Sequence, residues 1–271
     1  MNRKQPERVA RCDAPGVNPR LPPLRACRTL AIMVPPSRAV QPADAANRGW
    51  PDRIETWLFD LDNTLYPASS AIFGAVTARM TAFVAAHVGV TLDAAAALRR
   101  RYVADHGSTL RGLMVEHGVA PNDFLADVHN VDIDHMERDE TLDRAIGRLG
   151  GRKLIFTSAT VAHAERVLAR RGLRHHFDTI FDITAADYVP KPAPTTYDRL
   201  IARHGVVPHA AAMIDDVADN LAPAARLGMV TVWVPETAAL VRSHTDRDHI
   251  HHVAPDLTRW LAELTAVRSA G

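Results

Sequence analysis

The sequence predicts an α/β fold: a doubly wound parallel-sheet core with an α-helical cap inserted after its first strand. Three observations carry that expectation. After Gly151, short apolar strand-like runs alternate with helical ones, the pattern of a parallel sheet with right-handed crossovers. One further strand-like run, "IETWLFDLD", stands far upstream at residues 54–62. Between them, residues 70–150 hold only helical periodicity, with apolar positions recurring every three or four residues.

In chain order, residues 1–49 come first and differ from the rest. They contain eight prolines and no sustained period, which disfavours a packed structure. They hold nine Lys/Arg against three Asp/Glu, whereas the remainder has 23 basic and 28 acidic residues. An arginine-rich, acid-poor targeting peptide is one reading, but the prolines break the amphipathic helix such a peptide needs. We expect a disordered extension, or a start codon placed too far upstream. Cys12 and Cys27 both fall here, so the body offers neither a disulfide framework nor a Cys-ligated zinc site.

The body is acidic, a poor match for a polyanion, so no nucleic-acid polymer is expected as a partner. The longest apolar run near the N-terminus is "LAIMV" (30–34), and no run approaches the ~20 residues that span a bilayer. A cytoplasmic protein without a membrane partner is expected, and the oligomeric state is not legible. At 271 residues and 47% hydrophobic, the chain can bury one large core or a core with a satellite.

The first expected strand leads into helical segments beginning at "AIFGAVTARMTAFVAAHV" and ending at "TLDRAIGRLG". Then follow "KLIFTS" as strand, "AHAERVLARRGL" as helix, "TIFDIT" as strand and "TTYDRLIARHG" as helix. "AAMIDD", "NLAPAARLG" and "VTVWV" continue the alternation as strand, helix and strand, before a last short strand and helix. The expected division is therefore 1–49 as extension, 50–67 with 151–271 as α/β core, and 68–150 as helical cap.

Four segments carry the unusual polar residues: Asp60, Asp62 and Thr64, then Thr157 and Ser158, then Lys191, then Asp215 and Asp216. Each sits at the C-terminal end of an expected strand or just beyond it, the edge where open parallel sheets bind ligands. Carboxylates crowded into one cleft raise each other's pKa unless a hard cation neutralises them, and all-oxygen ligation suits Mg²⁺. Lys191 and the Thr157 hydroxyl offer a charge and a donor to phosphate oxygens. A carboxylate can itself attack phosphorus. Together these groups suit phosphoryl transfer on a small phosphorylated metabolite.

Motif by motif, the chain resembles the haloacid dehalogenase superfamily of phosphohydrolases over roughly residues 53–260. "FDLDNTLYP" matches its DxDxT motif, "FTSAT" the Thr/Ser motif, "KPAP" the lysine motif and "IDDVADN" the terminal acidic pair, in the right order. The resemblance implies a HAD-like Rossmannoid core with a helical cap, and Mg²⁺ as cofactor. It implies Asp60 as nucleophile, forming an aspartyl-phosphate, and Asp62 as the group that protonates the leaving oxygen and then deprotonates water. The Asp62 backbone carbonyl, Asp60 and Asp216 are implied as metal ligands, with Asp215 supporting directly or through water. Thr157 and Lys191 would hold the phosphoryl group, with Ser158 and Thr64 in the same binding set. The dehalogenases that name the superfamily need no acid two residues after the nucleophile, so Asp62 favours a phosphatase.

Within the superfamily, "FDLDNTLYPASSAIF", "STLRGLMVEHG" and "GRKLIFTSATVAHAERVLARRGL" are most similar to the pyrimidine 5'-nucleotidase branch, which implies a pyrimidine nucleoside 5'-monophosphate as substrate. Two departures bear on the leaving group: Ser158 stands where that branch has Asn, and "MERDETL" replaces its Pro-Pro-Asp-like entry to the last cap helix. The alternatives are a phosphoglycolate or sugar-phosphate phosphatase, a phosphomutase, or an inactive binding protein of the same fold. A signalling receiver is excluded, because there the acidic pair precedes the acceptor Asp.

Some features have blander readings. "HTDRDHIHHV" (244–253) has no spacing for a compact tetrahedral metal site and reads as a solvated loop. "RRRY" (99–102) reads as the wet face of a cap helix. The loop "HGSTLRG" (106–112) could bring Ser108, Thr109 and Arg111 to the substrate, Gly107 permitting close approach. Phe73, Met80 and Phe83, at helical spacing, are expected in the cap core.

Overall fold

A four-residue run of Thr, Trp, Leu and Phe forms the central strand, β1 (Thr56–Phe59), and every one of its residues is buried. Only a strand covered on both faces tolerates such a run. The computed structural model describes residues 50–236 and 248–266; the N-terminal 49 residues, with both cysteines and the expected extension, lie outside the described residues.

β2 (Arg152–Phe156) and β4 (Ala211–Asp215) flank β1, β3 (Thr179–Phe181) lies beyond β2, and β5 (Val230–Trp233) and β6 (His252–Val253) lie beyond β4. The order is β3-β2-β1-β4-β5-β6, parallel throughout. The chain turns one way from β1 to β2 and the other way to β4, so a crevice opens at the carboxyl end of β1. Phe59 is in register with Ile155 on one side and Ile214 on the other. This register sets the residues that follow each strand side by side.

Alternation along β1 builds two cores. Trp57 and Phe59 join Ile155 and Ile214 on one face, whereas Leu58 joins Leu154, Phe156 and Met213 on the other. The second face is covered by α7 (Pro194–His204) and α8 (Ala218–Arg226), through Tyr197, Leu200, Leu221 and Ala224. The first is covered by α5 (Glu140–Gly147), α6 (Val161–Arg171) and α9 (Leu257–Ala266). Gly151 makes the entry to β2: its φ is +81° and a Cβ there would lie 2.7 Å from the Glu55 carbonyl oxygen.

Between β1 and β2 the chain forms α1 (Ile72–Val88), α2 (Leu92–His106), α3 (Thr109–His117), α4 (Pro121–Val128) and α5. Side-chain oxygens of Thr91, Ser108 and Asp139 cap α2, α3 and α5, each accepting a backbone N–H of the first turn. The insertion shares the first core: one buried cluster runs from Phe59 through Ile72 and Val76 to Tyr102, Leu113 and Phe124.

Two expectations are corrected here. Phe73 is 45% exposed, although Met80 and Phe83 do pack against the core as expected. It lies in the first turn of α1, where Ile72 takes the buried position instead. Tyr102 does not belong to a wet face but is fully buried, with its hydroxyl paired to His117 Nε2 at 2.7 Å. Of its arginine neighbours, Arg99 is tied to Thr77 and Thr81 on α1, and Arg101 pairs with Glu116. Among the described residues no single helix is long and apolar enough to cross a membrane.

Candidate active site

The backbone of Asp60 extends the ladder one step past β1, its N–H donating to the Ile214 carbonyl at 2.9 Å. That step carries the Asp60 carboxylate to the sheet edge beside the Asp215 side chain. Lys191 joins them. Its Nζ donates to Asp60 Oδ1 and Asp215 Oδ2, each at 2.7 Å, and to the Phe156 carbonyl at 2.9 Å. An ammonium has three protons, and all three are used. One side chain thus gathers the ends of β1, β2 and β4.

Asp215 is fully buried and saturated by protein donors, since its Oδ1 also accepts from Val217 N and Asn220 Nδ2, both at 2.9 Å. Asp216 is less buried, and its carboxylate accepts from Asn63 Nδ2 at 3.4 Å. Oxygens of Asp60, Asp215 and Asp216 lie within 4.8 Å of one another. Burial pushes the Asp60 carboxyl well above the usual range; Lys191 opposes that and Asp215, Asp216 and Asp62 reinforce it. Burial and Asp215 push Asp216 up to about 7. Lys191 is raised despite its burial, because Asp215 and Asp60 hold its proton. One ammonium cannot neutralise this many carboxylates. A hard oxygen donor set with surplus negative charge fits a divalent cation, and of the three clustered acids Asp60 and Asp216 have oxygens less committed than those of Asp215.

Asp62 lies on the turn after β1, its side chain 23% exposed. Burial favours its neutral form, but a hydrogen bond and charge from His163 and a hydrogen bond from Tyr66 outweigh it, so its carboxyl is held below the usual range. Tyr66 Oη donates to Asp62 Oδ1 at 2.5 Å, and His163 Nε2 lies 3.3 Å from the same oxygen. Neither partner was singled out in the sequence. Tyr66 falls four residues after Asp62 in the quoted motif, but His163 is hidden in an ordinary amphipathic helix, and only its 1% exposure marks it.

Thr64 is buried and donates to Asp60 Oδ2 at 3.3 Å. Thr157, also buried, accepts the Ala159 N–H on Oγ1 at 3.0 Å, which leaves its hydroxyl proton for another acceptor. Ser158 beside it is exposed. Asp182, unmarked in the sequence, accepts from Val161 N and Ala185 N and ties this loop to the end of β3. Ser108 caps α3 and Thr109 is buried in its first turn; a Cβ on Gly107 would lie 3.7 Å from Pro190, so their loop approaches the segment that carries Lys191. A cavity of about 400 Å³ opens beside His163, bordered by Asn122, His129, Asn130, Thr160 and Arg166.

Two histidine groups stand apart. Residues 244–247 of the His-rich stretch lie outside the described residues, while His249, His251 and His252 are engaged with Ala218, Thr231 and Trp50. They hold β6 in place rather than forming a solvated loop. His176 Nε2 is hydrogen-bonded to Asp143 Oδ1 at 2.6 Å and His175 Nε2 lies 3.1 Å from the same oxygen, contacts that account for this group.

Residues 54–228 match the model of the haloacid dehalogenase-like hydrolase family, and the chain belongs to that family. Among curated proteins it is 26% identical over 192 residues to phosphate metabolism protein 8 of Saccharomyces cerevisiae, covering 65% of this chain and 60% of that one. It is 38% identical over 82 residues to fructose-1-phosphate phosphatase YqaB of Escherichia coli, covering 30% of this chain and 42% of that one. The chain thus spans less than two thirds of either relative's length. A solved structure of CbbY from Rhodobacter sphaeroides in complex with phosphate matches with a TM-score of 0.51 at 19% identity, over 74% of this chain and 93% of that one, a likeness of fold.

Proposed function

We propose that the protein is a phosphomonoesterase that works through an aspartyl-phosphate on Asp60. The observation that carries this reading is the bridge from Lys191 to both Asp60 and Asp215, with Asp216 alongside. In the first half-reaction an Asp60 oxygen attacks phosphorus as the ester P–O bond breaks. The leaving oxygen keeps the bonding pair and takes a proton from Asp62. In the second, Asp62 takes a proton from water as the water oxygen attacks phosphorus, and Asp60 departs with the P–O pair. The carboxylate form favoured at Asp62 is the one that deprotonates water, and a bound anionic phosphate favours the protonated form that the leaving group needs.

Lys191 and the free Thr157 hydroxyl proton suit the phosphoryl oxygens, with Ser158 and Thr64 close by in the chain. Asp60, Asp216 and the Asp62 carbonyl would hold Mg²⁺, with Asp215 in support; when bound, the ion neutralises the phosphate and carboxylate charge. A halide leaves without a proton, so the acid that Asp62 offers suits an ester leaving oxygen rather than a halide.

A pyrimidine nucleoside 5'-monophosphate is the substrate that the motif likeness favours. The similarity to a fructose-1-phosphate phosphatase favours a second reading, a sugar phosphate. Ser108 and Thr109, on the loop facing Pro190, would act at the rim of the substrate.

The test is phosphate release from nucleotides, sugar phosphates and phosphoglycolate, with and without Mg²⁺. Asp60→Asn is expected to lower metal-dependent release by ~10³-fold or more. UMP or CMP as the best substrate supports the nucleotidase reading, and a sugar phosphate supports the second. No release from any substrate, including an aryl phosphate, favours an inactive binding protein.

A further inference from the structure

We propose that Tyr66 and His163 are positioning residues that hold Oδ1 of Asp62 and so leave Oδ2 as the atom carrying the proton to and from the phosphoester. The proposal rests on the phosphatase reading above. Both groups meet the same oxygen, at 2.5 and 3.3 Å, and Oδ2 takes no hydrogen bond from any described residue. A carboxyl protonated on Oδ2 keeps Oδ1 as a carbonyl acceptor, and an ionised one keeps it as a carboxylate acceptor. The two bonds therefore survive both halves of the cycle, and nothing need reorganise when the proton moves.

The histidine is built for one role. Its side chain is 1% exposed, and Nδ1 is buried with no partner among the described residues. With no acceptor at Nδ1 among the described residues, Nε2 is the nitrogen that donates, and Asp62 accepts from it. The ring is fixed from outside its own helix: His129, at the end of α4 in the insertion, stacks on it with centroids 4.7 Å apart and planes 24° apart. His129 is itself paired with Thr160 Oγ1 at 3.2 Å. Held by a phenol on one side and by a braced imidazole on the other, the Asp62 carboxyl cannot rotate its two oxygens past each other without breaking both bonds.

A group that delivers a proton to the leaving oxygen matters for alkyl phosphates and little for an aryl phosphate whose phenolate departs unaided. The experiment compares kcat/KM, which reports the first half-reaction, for an alkyl phosphate and 4-nitrophenyl phosphate in Mg²⁺. Wild type, Tyr66→Phe, His163→Leu and His163→Gln are used, with melting temperatures measured in parallel. Tyr66→Phe and His163→Leu are expected to lose ~10- to 100-fold on the alkyl substrate and less than ~3-fold on the aryl one. His163→Gln, which keeps a donor near the Nε2 position, should retain most of the alkyl activity. Equal losses on both substrates, or no loss on the alkyl one, overturn the positioning role. If His163→Leu does not fold, Tyr66→Phe alone decides, since it removes one hydroxyl and keeps the ring. A wild type silent on both substrates overturns the phosphatase reading itself, a result distinct from any pattern among the variants.

Discussion

Lys191 shows how one buried charge organises a site. Its side chain is 3% exposed, and its two carboxylate partners, Asp60 and Asp215, are 8% and 0% exposed. Removing it strands two acids in a poorly solvated pocket, which costs several kcal/mol until they take up protons. Lys191→Met is therefore expected to lose about 3 kcal/mol in urea unfolding at neutral pH. The loss should shrink as pH falls and the acids are neutralised. A variant as stable as wild type at both pH values would mean that the ion pairs do not hold the site together.

At the scale of elements, the site depends on where helices can approach one another. α2 and α3 meet at Gly112, where a Cβ would lie 2.3 Å from Tyr102 Cγ, and Tyr102 is fully buried. Alanine is the better helix former by up to ~1 kcal/mol, but the ring has nowhere to move, so overpacking wins. Gly112→Ala should lose about 1–2 kcal/mol in chemical denaturation. Because α3 begins just after the loop that faces Pro190, the same change should also disturb the rim of the candidate site. A neutral or stabilising result would show that the two helices separate freely.

For the whole molecule, the excess acid at the sheet edge makes stability depend jointly on pH and divalent cation. Asp60 and Asp216 hold protons in the folded chain at pH values where the unfolded chain has released them. They therefore remove stability as pH rises above the usual carboxylate range, a loss that for Asp216 runs up to about 7. Asp62, depressed, has the opposite sign: its contribution is present above its unfolded pKa and lost as pH falls. His129 and His252, pushed down to about 4 chiefly by burial, also remove stability as pH falls below the ordinary histidine range. The histidine contributions cancel in a comparison with and without metal. The rise in melting temperature produced by Mg²⁺ over chelator should grow from pH ~5 to pH ~8, because the cation must displace the retained protons. A rise independent of pH would place the metal elsewhere.

Much of this was legible in the chain. Alternation and 3.6-residue periodicity report burial, a local consequence of sequence, so the order of strands and helices could be read along with the late return to the sheet after residue 150. Asp60, Asp62, Thr157 and the Asp215–Asp216 pair stood out because polar residues at strand ends are costly without a function, and Lys191 by its place in the motif order. Phe73 was misread because periodicity identifies a helix face but not how far along the helix its neighbours reach. Tyr66, His163 and Asn220 were passed over because a tyrosine, a helical histidine and an asparagine are ordinary in such places. Sequence by itself determined which residues could do chemistry. Only the tertiary structure decided that Lys191 takes both Asp60 and Asp215, that Asp216 meets Asn63, and that His163 joins Tyr66 on one oxygen of Asp62, because those facts depend on distances between segments far apart in the chain.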